Sequence, residues 1–299
     1  MAKIRIVKGA GVLLLSLLKI LPVFIFIVVI FQDYLIFPLM LFQLMGSPVS
    51  KAPPEVSPLI VKTSDGMEIS VWRLPGTGDL KKVALIAHGN GGDVGNFYPF
   101  QLGLQELGYT TYGFDYRGMG NSTGHPSEAG LYLDIEAVWK KAQEIEKIEP
   151  AEVTIVGISI GSGPAAYLAN RIGAGTLLLL APYTSLPDVI SERPGFKYLR
   201  SLSRYYLPTA AYVAATPTPC IVLAHGANDT IILPKNSREI EAEWRSVQSA
   251  DSRATLSVIE HPTADHNSIF FDAFPQISKK LAECGQPAGN LFAGTLPAI

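Results

Sequence analysis

The pentapeptide Gly157-Ile158-Ser159-Ile160-Gly161 constrains this chain more than any other stretch. It follows the apolar run Val153–Val156 and precedes a helix-forming run that contains Gly163, Ala165 and Ala166. Glycines two positions either side of a serine let the backbone turn sharply out of a strand and let the next helix approach closely. The turn lifts the serine hydroxyl above the sheet and aims a helix N-terminus at it. Two further segments follow in order, His225-Gly226-Ala227-Asn228-Asp229 and Ala264-Asp265-His266-Asn267, each between an apolar strand pattern and a helix pattern.

The rest of the chain from residue 59 has the same rhythm. Expected strands are Leu59–Thr63, Met67–Leu74, Val83–Ala87, Tyr109–Asp115, Val153–Gly157, Thr176–Leu180, Ile221–Ala224 and Thr255–Ile259. The first two flank Ser64-Asp65-Gly66 and suggest an opening antiparallel pair. Strands alternating with helices indicate an α/β fold with a mostly parallel, doubly wound sheet. Ser127 reads as the N-cap of a long helix whose apolar stripe is Leu131, Ile135, Val138, Ala142 and Ile145. Helices are also expected over Asn236–Trp244 and Ser268–Leu281. Residues 185–217 are less regular and broken by prolines, which suggests a small cap.

A serine hydroxyl is a poor nucleophile at neutral pH and needs a neutral imidazole to take its proton. His266, in a polar loop late in the chain, is the candidate base. His88 and His225 end strands and read as loop-orienting residues, while His125 and His261 lie beside prolines in loops. The imidazole needs an acid that fixes its tautomer and stabilises its positive charge. Asp229 fits best, with Asp265 and Asp188 as rivals. A tetrahedral oxyanion needs preorganised N–H donors. Ile160 supplies one. The loop His88-Gly89-Asn90-Gly91-Gly92 after the Val83–Ala87 strand supplies the other, from Asn90 or, as the alternative, Gly91. Asp115-Tyr116-Arg117 reads as a buried, ion-paired loop that braces this side. No His/Glu cluster has metal spacing, so no cofactor or metal is expected.

The N-terminal segment is different in kind. Residues 11–31 are almost wholly apolar, and as a helix at about 1.5 Å per residue they would span roughly 31 Å, a hydrocarbon core's thickness. The many Leu, Ile, Val and Phe residues, at about 0.3–0.6 kcal/mol each, outweigh the cost of Lys19. Lys3, Arg5 and Lys8 precede the segment, which predicts a single-pass membrane protein with the catalytic domain on the non-cytoplasmic side. A cleaved signal peptide is the rival reading. Residues 33–45 read as an interfacial stretch or the lead-in to the domain. The expected organisation is an anchor over 1–50, the main domain over 51–285 with its cap, and a tail over 286–299. Cys220 and Cys284 are too few for a disulfide framework; they read as free buried thiols or as one disulfide. A net charge of −2 suggests no nucleic-acid partner.

Together HGNGG at 88–92, DYRGMGNSTG at 115–124, GISIG at 157–161, APYTS at 181–185, HGANDTII at 225–232 and ADHN at 264–267 resemble the α/β-hydrolase superfamily. The chain is most similar to its membrane-anchored Bem-type branch, close to the α/β-hydrolase-domain depalmitoylases. The resemblance implies an α/β-hydrolase fold and a serine hydrolase acting on carboxylic esters or thioesters, with Ser159, Asp229 and His266 as its triad. The expected partners are a lipid or acyl-ester or acyl-thioester substrate and the bilayer. The alternatives are a peptidase or amidase of the same fold, or a non-catalytic membrane-tethered binding protein.

Overall fold

Strands that are apolar on both faces must be covered on both faces. In the computed structural model, which describes residues 22–77, 82–249 and 251–284, the central strands are buried along their whole length. One sheet contains β1 Ser57–Lys62, β2 Glu68–Leu74, β3 Lys82–Ala87, β4 Tyr109–Phe114, β5 Val153–Ile158, β6 Thr176–Leu180, β7 Cys220–Gly226 and β8 Thr255–His261. Its spatial order is β1-β2-β4-β3-β5-β6-β7-β8. β2 pairs antiparallel with β1 and β4, and the remaining pairs are parallel. Every expected strand is present, with its ends within two residues of the expected ones.

Helices cover both faces of this sheet. Phe100, Leu104, Phe274, Ile277 and Leu281, on Tyr98–Glu106 and Phe274–Glu283, close one face. Leu131, Ile135, Val138, Leu168, Ile240 and Trp244, on Glu128–Glu146, Ser162–Ile172 and Lys235–Val247, close the other. Ser127 caps the long helix by accepting from Gly130 N at 3.1 Å. Ile145 departs from the expected stripe and is exposed. The helix expected over 268–281 is two, Ile269–Asp272 and Phe274–Glu283, because the chain bends at Ala273 and restarts with Pro275 in the first turn, where a missing N–H costs nothing. The cap consists of Leu186–Ser191, a short 3-10 turn Lys197–Leu202, and Thr209–Ala215.

The N-terminal expectation is corrected. Among the described residues no helix is long and apolar enough to cross a membrane. The expected span falls partly on residues 11–21, which lie outside the described residues. In the described remainder, residues 22–30 are helical, a turn follows at Phe31, and two short helices Gln32–Ile36 and Pro38–Leu44 follow it. Most of its large apolar side chains, from Val23 and Phe24 to Leu44 and Met45, are exposed, and only a few pack on protein. Phe37 is fully buried and Met40 nearly so, both in the same cluster as the sheet core. Asp33, an ordinary cost in a bilayer, is ion-paired here with Arg204 at 2.7 Å. The described residues therefore give no support to the single-pass topology and the non-cytoplasmic placement that rested on a spanning helix. The tail over 286–299 lies outside the described residues. Cys220 and Cys284 form a disulfide with a Cα–Cα distance of 5.7 Å, which joins β7 to the end of the last helix.

Candidate active site

Four loops at the C-terminal ends of β3, β5, β7 and β8 converge, and the strand order reverses around β3, where open α/β sheets place their ligands. Ser159 follows β5 directly and has a φ of 53°, a left-handed conformation that costs a non-glycine residue about 1–3 kcal/mol. Two glycines make the turn sterically feasible. A Cβ on Gly157 would lie 2.7 Å from Ala165 Cβ, and one on Gly161 would lie 2.0 Å from Ala87 O. The helix Ser162–Ile172 therefore packs hard against β5 and the end of β3, with its N-terminal turn beside the serine.

The structure brings Ser159, His266 and Asp229 into one hydrogen-bonded line. Ser159 Oγ is 2.9 Å from His266 Nε2, and His266 Nδ1 is 2.7 Å from Asp229 Oδ2. Asp229 is buried, and its Oδ1 accepts from Ile231 N at 2.8 Å and Ile232 N at 2.9 Å. Burial pushes the Asp229 carboxyl up, but hydrogen bonds from His225 and His266 outweigh it and hold the group well below the usual carboxylate range. The two rival acids point elsewhere. Asp265 is an exposed turn cap that accepts from Asn267 N at 2.8 Å and Ser268 N at 2.9 Å. Asp188 accepts from Ser185 Oγ and Thr184 Oγ1 in the cap.

The His88–Gly92 loop runs beside the serine. A Cβ on Gly89 would be 3.5 Å from Ser159 Cβ. Tyr116 OH donates to His88 O at 2.8 Å, and Asp115 accepts from Val94 N at 2.7 Å. Burial pushes the Asp115 carboxyl up to about 7 and the His88 imidazole down to about 4, and the two lie 3.7 Å apart. Arg117 is buried between Asp134 at 2.9 Å and Asp65 at 2.7 Å. Ile160 sits at the helix N-terminus, with its carbonyl accepting from Tyr183 OH at 3.0 Å. The Asn90 side chain donates to Ile36 O at 2.8 Å. Among the described residues no group of three or more His, Cys, Asp or Glu side chains is placed to hold a metal ion.

Sequence reasoning missed one neighbour of the acid. His225 is fully buried, with Nδ1 2.7 Å from Ser237 Oγ and Nε2 2.9 Å from Ile232 O and 3.3 Å from Asp229 Oδ2. Its spacing of four residues from Asp229 was the available signal. His261 Nδ1 accepts from Ala264 N at 3.2 Å and so shapes the loop that carries His266.

Comparison with known proteins agrees with this architecture. The family model described as alpha/beta hydrolase fold matches residues 83–216. An uncharacterized protein of Mycobacterium tuberculosis is 31% identical over 194 residues, covering 64% of this chain and 69% of that protein. The human alpha/beta hydrolase domain-containing protein 17B is 30% identical over 184 residues, covering 61% of this chain and 62% of its own length. Among solved structures, a Pyrococcus furiosus esterase superposes with a TM-score of 0.63 at 18% identity, covering 80% of this chain and 94% of that one. A serine hydrolase without lid from Xanthomonas campestris superposes with a TM-score of 0.56 at 18% identity, covering 82% and 100%.

Proposed function

The chain belongs to the α/β-hydrolase superfamily, and on that premise we propose that it is a serine hydrolase that cleaves carboxylic esters or thioesters of acyl chains. The observation that carries this reading is the line Ser159 Oγ–His266–Asp229, at 2.9 and 2.7 Å, with Ser159 on a left-handed turn that presents its hydroxyl to His266. His266 Nε2 takes the Ser159 proton as Oγ attacks the acyl carbonyl, and Asp229 holds the ring in the tautomer that leaves Nε2 free to do so. The oxyanion is received by the main-chain N–H groups of Ile160 and Asn90. His266 then protonates the departing alcohol or thiol as its bond to the acyl carbon breaks. Water, deprotonated by the same imidazole, attacks acyl-Ser159, and the carboxylic acid leaves with the serine restored.

Two features support an acyl-chain substrate. Within the cap region Tyr205 and Leu207 are buried, while Phe196, Tyr198 and Tyr206 stay exposed. Phe24, Phe26, Ile30 and Phe31, which precede the segment bonded to the cap, are exposed as well. The test is a p-nitrophenyl ester series of increasing chain length beside aminopeptidase substrates. Turnover is expected on medium and long esters with little on peptides. Amide turnover exceeding ester turnover, or a sharp preference for acetyl, overturns the substrate class and favours the peptidase reading.

A further inference from the structure

Residues 32–37, just after the stretch expected to span a membrane, bond to the cap on one side and to the His88–Gly92 loop on the other. On the cap side, Gln32 Nε2 donates to Leu202 O at 3.0 Å and Gln32 Oε1 accepts from Arg204 N at 2.6 Å. Asp33 Oδ1 accepts from Arg204 at 2.7 Å and from Tyr205 OH at 2.8 Å. Phe37 packs edge-on against Tyr205 with ring centroids 5.7 Å apart. On the other side, Ile36 O accepts the Asn90 side chain at 2.8 Å.

That last bond matters because of where it lands. The His88–Gly92 loop contains Gly89, Gly91 and Gly92, and a Cβ on Gly91 would meet nothing within 4 Å. A glycine-rich loop loses more conformational freedom on ordering than any other kind, so a donor on it must be fixed by something else. Tyr116 fixes the loop at His88, and Ser50 N, donating to Asp93 Oδ2 at 2.7 Å, fixes it just past Gly92. The amide of Asn90 ties the middle to Ile36. The bond uses the side chain and leaves the main-chain N–H of the same residue to the reaction.

We propose that residues 32–44 are a working wall of the hydrolase site, with Gln32, Asp33 and Asn90 as positioning residues that couple the cap to the oxyanion loop. The proposal rests on the acyl-serine reading above. The segment is held to the cap at Gln32 and Asp33 and to the loop at Ile36, within a single helical turn and the bend that follows it. A shift of the cap is thereby transmitted to the donor that faces the developing oxyanion.

The experiment is a double-mutant cycle on a soluble p-nitrophenyl ester, with thermal melting to show that each variant is folded. Gln32→Ala/Asp33→Ala releases the segment from the cap, and Asn90→Ala releases it from the loop while keeping the main-chain N–H. Each is expected to lower kcat about tenfold with KM nearly unchanged, short of the roughly 10²–10³ that losing an oxyanion donor outright costs. Combined, they are expected to lose little more than either alone, because both cut one connection. Asp33→Asn, which keeps an acceptor for Tyr205 and Arg204, is expected to recover most of the rate and serves where the alanine pair does not fold. Unchanged kcat in the folded variants, losses that simply multiply, or a loss in KM alone overturns the proposal. A wild-type protein that hydrolyses no ester overturns the serine hydrolase reading instead, so the two failures are distinguishable.

Discussion

Asp229 sits between two imidazoles. His266 Nδ1 is 2.7 Å from Oδ2, and the fully buried His225 approaches the same oxygen at 3.3 Å. Both hold the carboxylate ionised, so its folded pKa lies below its unfolded one. Such a group contributes stability at pH values above the ordinary carboxylate pKa of about 3.9, and that contribution is lost as pH falls towards the folded value. Asp229→Asn is therefore expected to be less stable than wild type at pH 7, with the gap closing in urea titrations below about pH 4. The same change is expected to reduce ester turnover about 10⁴-fold, because an amide can present its N–H to His266 and fix the wrong tautomer. A larger turnover loss from Asp265→Asn would move the acid's role to the neighbouring loop.

At the scale of elements, the parallel strands were legible because burial on both faces writes itself as an unbroken apolar run, as in Val83–Ala87 and Thr176–Leu180. The residues now aligned in the site were legible too, since each lies in a loop between a strand pattern and a helix pattern. At the N-terminus, neither proline nor glycine marks in the sequence the turn at Phe31 that ends the helix over residues 22–30. The docking of residues 32–37 on the cap was not legible, because its partners, Leu202, Arg204 and Tyr205, lie some 170 residues away. The break in the helix expected over 268–281 is not legible, because a proline in a first turn and a proline in a helix interior look alike without the bend at Ala273. The pairing of Cys220 with Cys284 was equally invisible, because it depends on β7 and the last helix meeting in space. That disulfide closes a separation of 64 residues, which in the chain-entropy view is worth about 4 kcal/mol. Cys220→Ala/Cys284→Ala, or reduction, is expected to lower the melting temperature by several degrees while the ester activity at 25 °C persists. An unchanged melting temperature would show that the bridge does not constrain the chain.

The whole molecule is built on one sheet that delivers four loops to one edge, with residues 32–36 bonded both to the cap and to one of those loops. The parts depend on one another. Arg193 in the cap donates to Thr230 O and Ile231 O, next to the N–H groups that hold Asp229. Glu128, at the start of the long helix, accepts from Tyr206 N and Leu207 N under the same cap. All of this converges on the reactivity of one hydroxyl. The most direct measurement is covalent labelling of the purified protein by a fluorophosphonate, followed by mass spectrometry of the labelled peptide. One adduct per chain is expected, on Ser159, and it is lost in a folded Ser159→Ala variant together with ester turnover. Absence of labelling in the wild type, or labelling that survives in Ser159→Ala, would contradict the serine hydrolase reading.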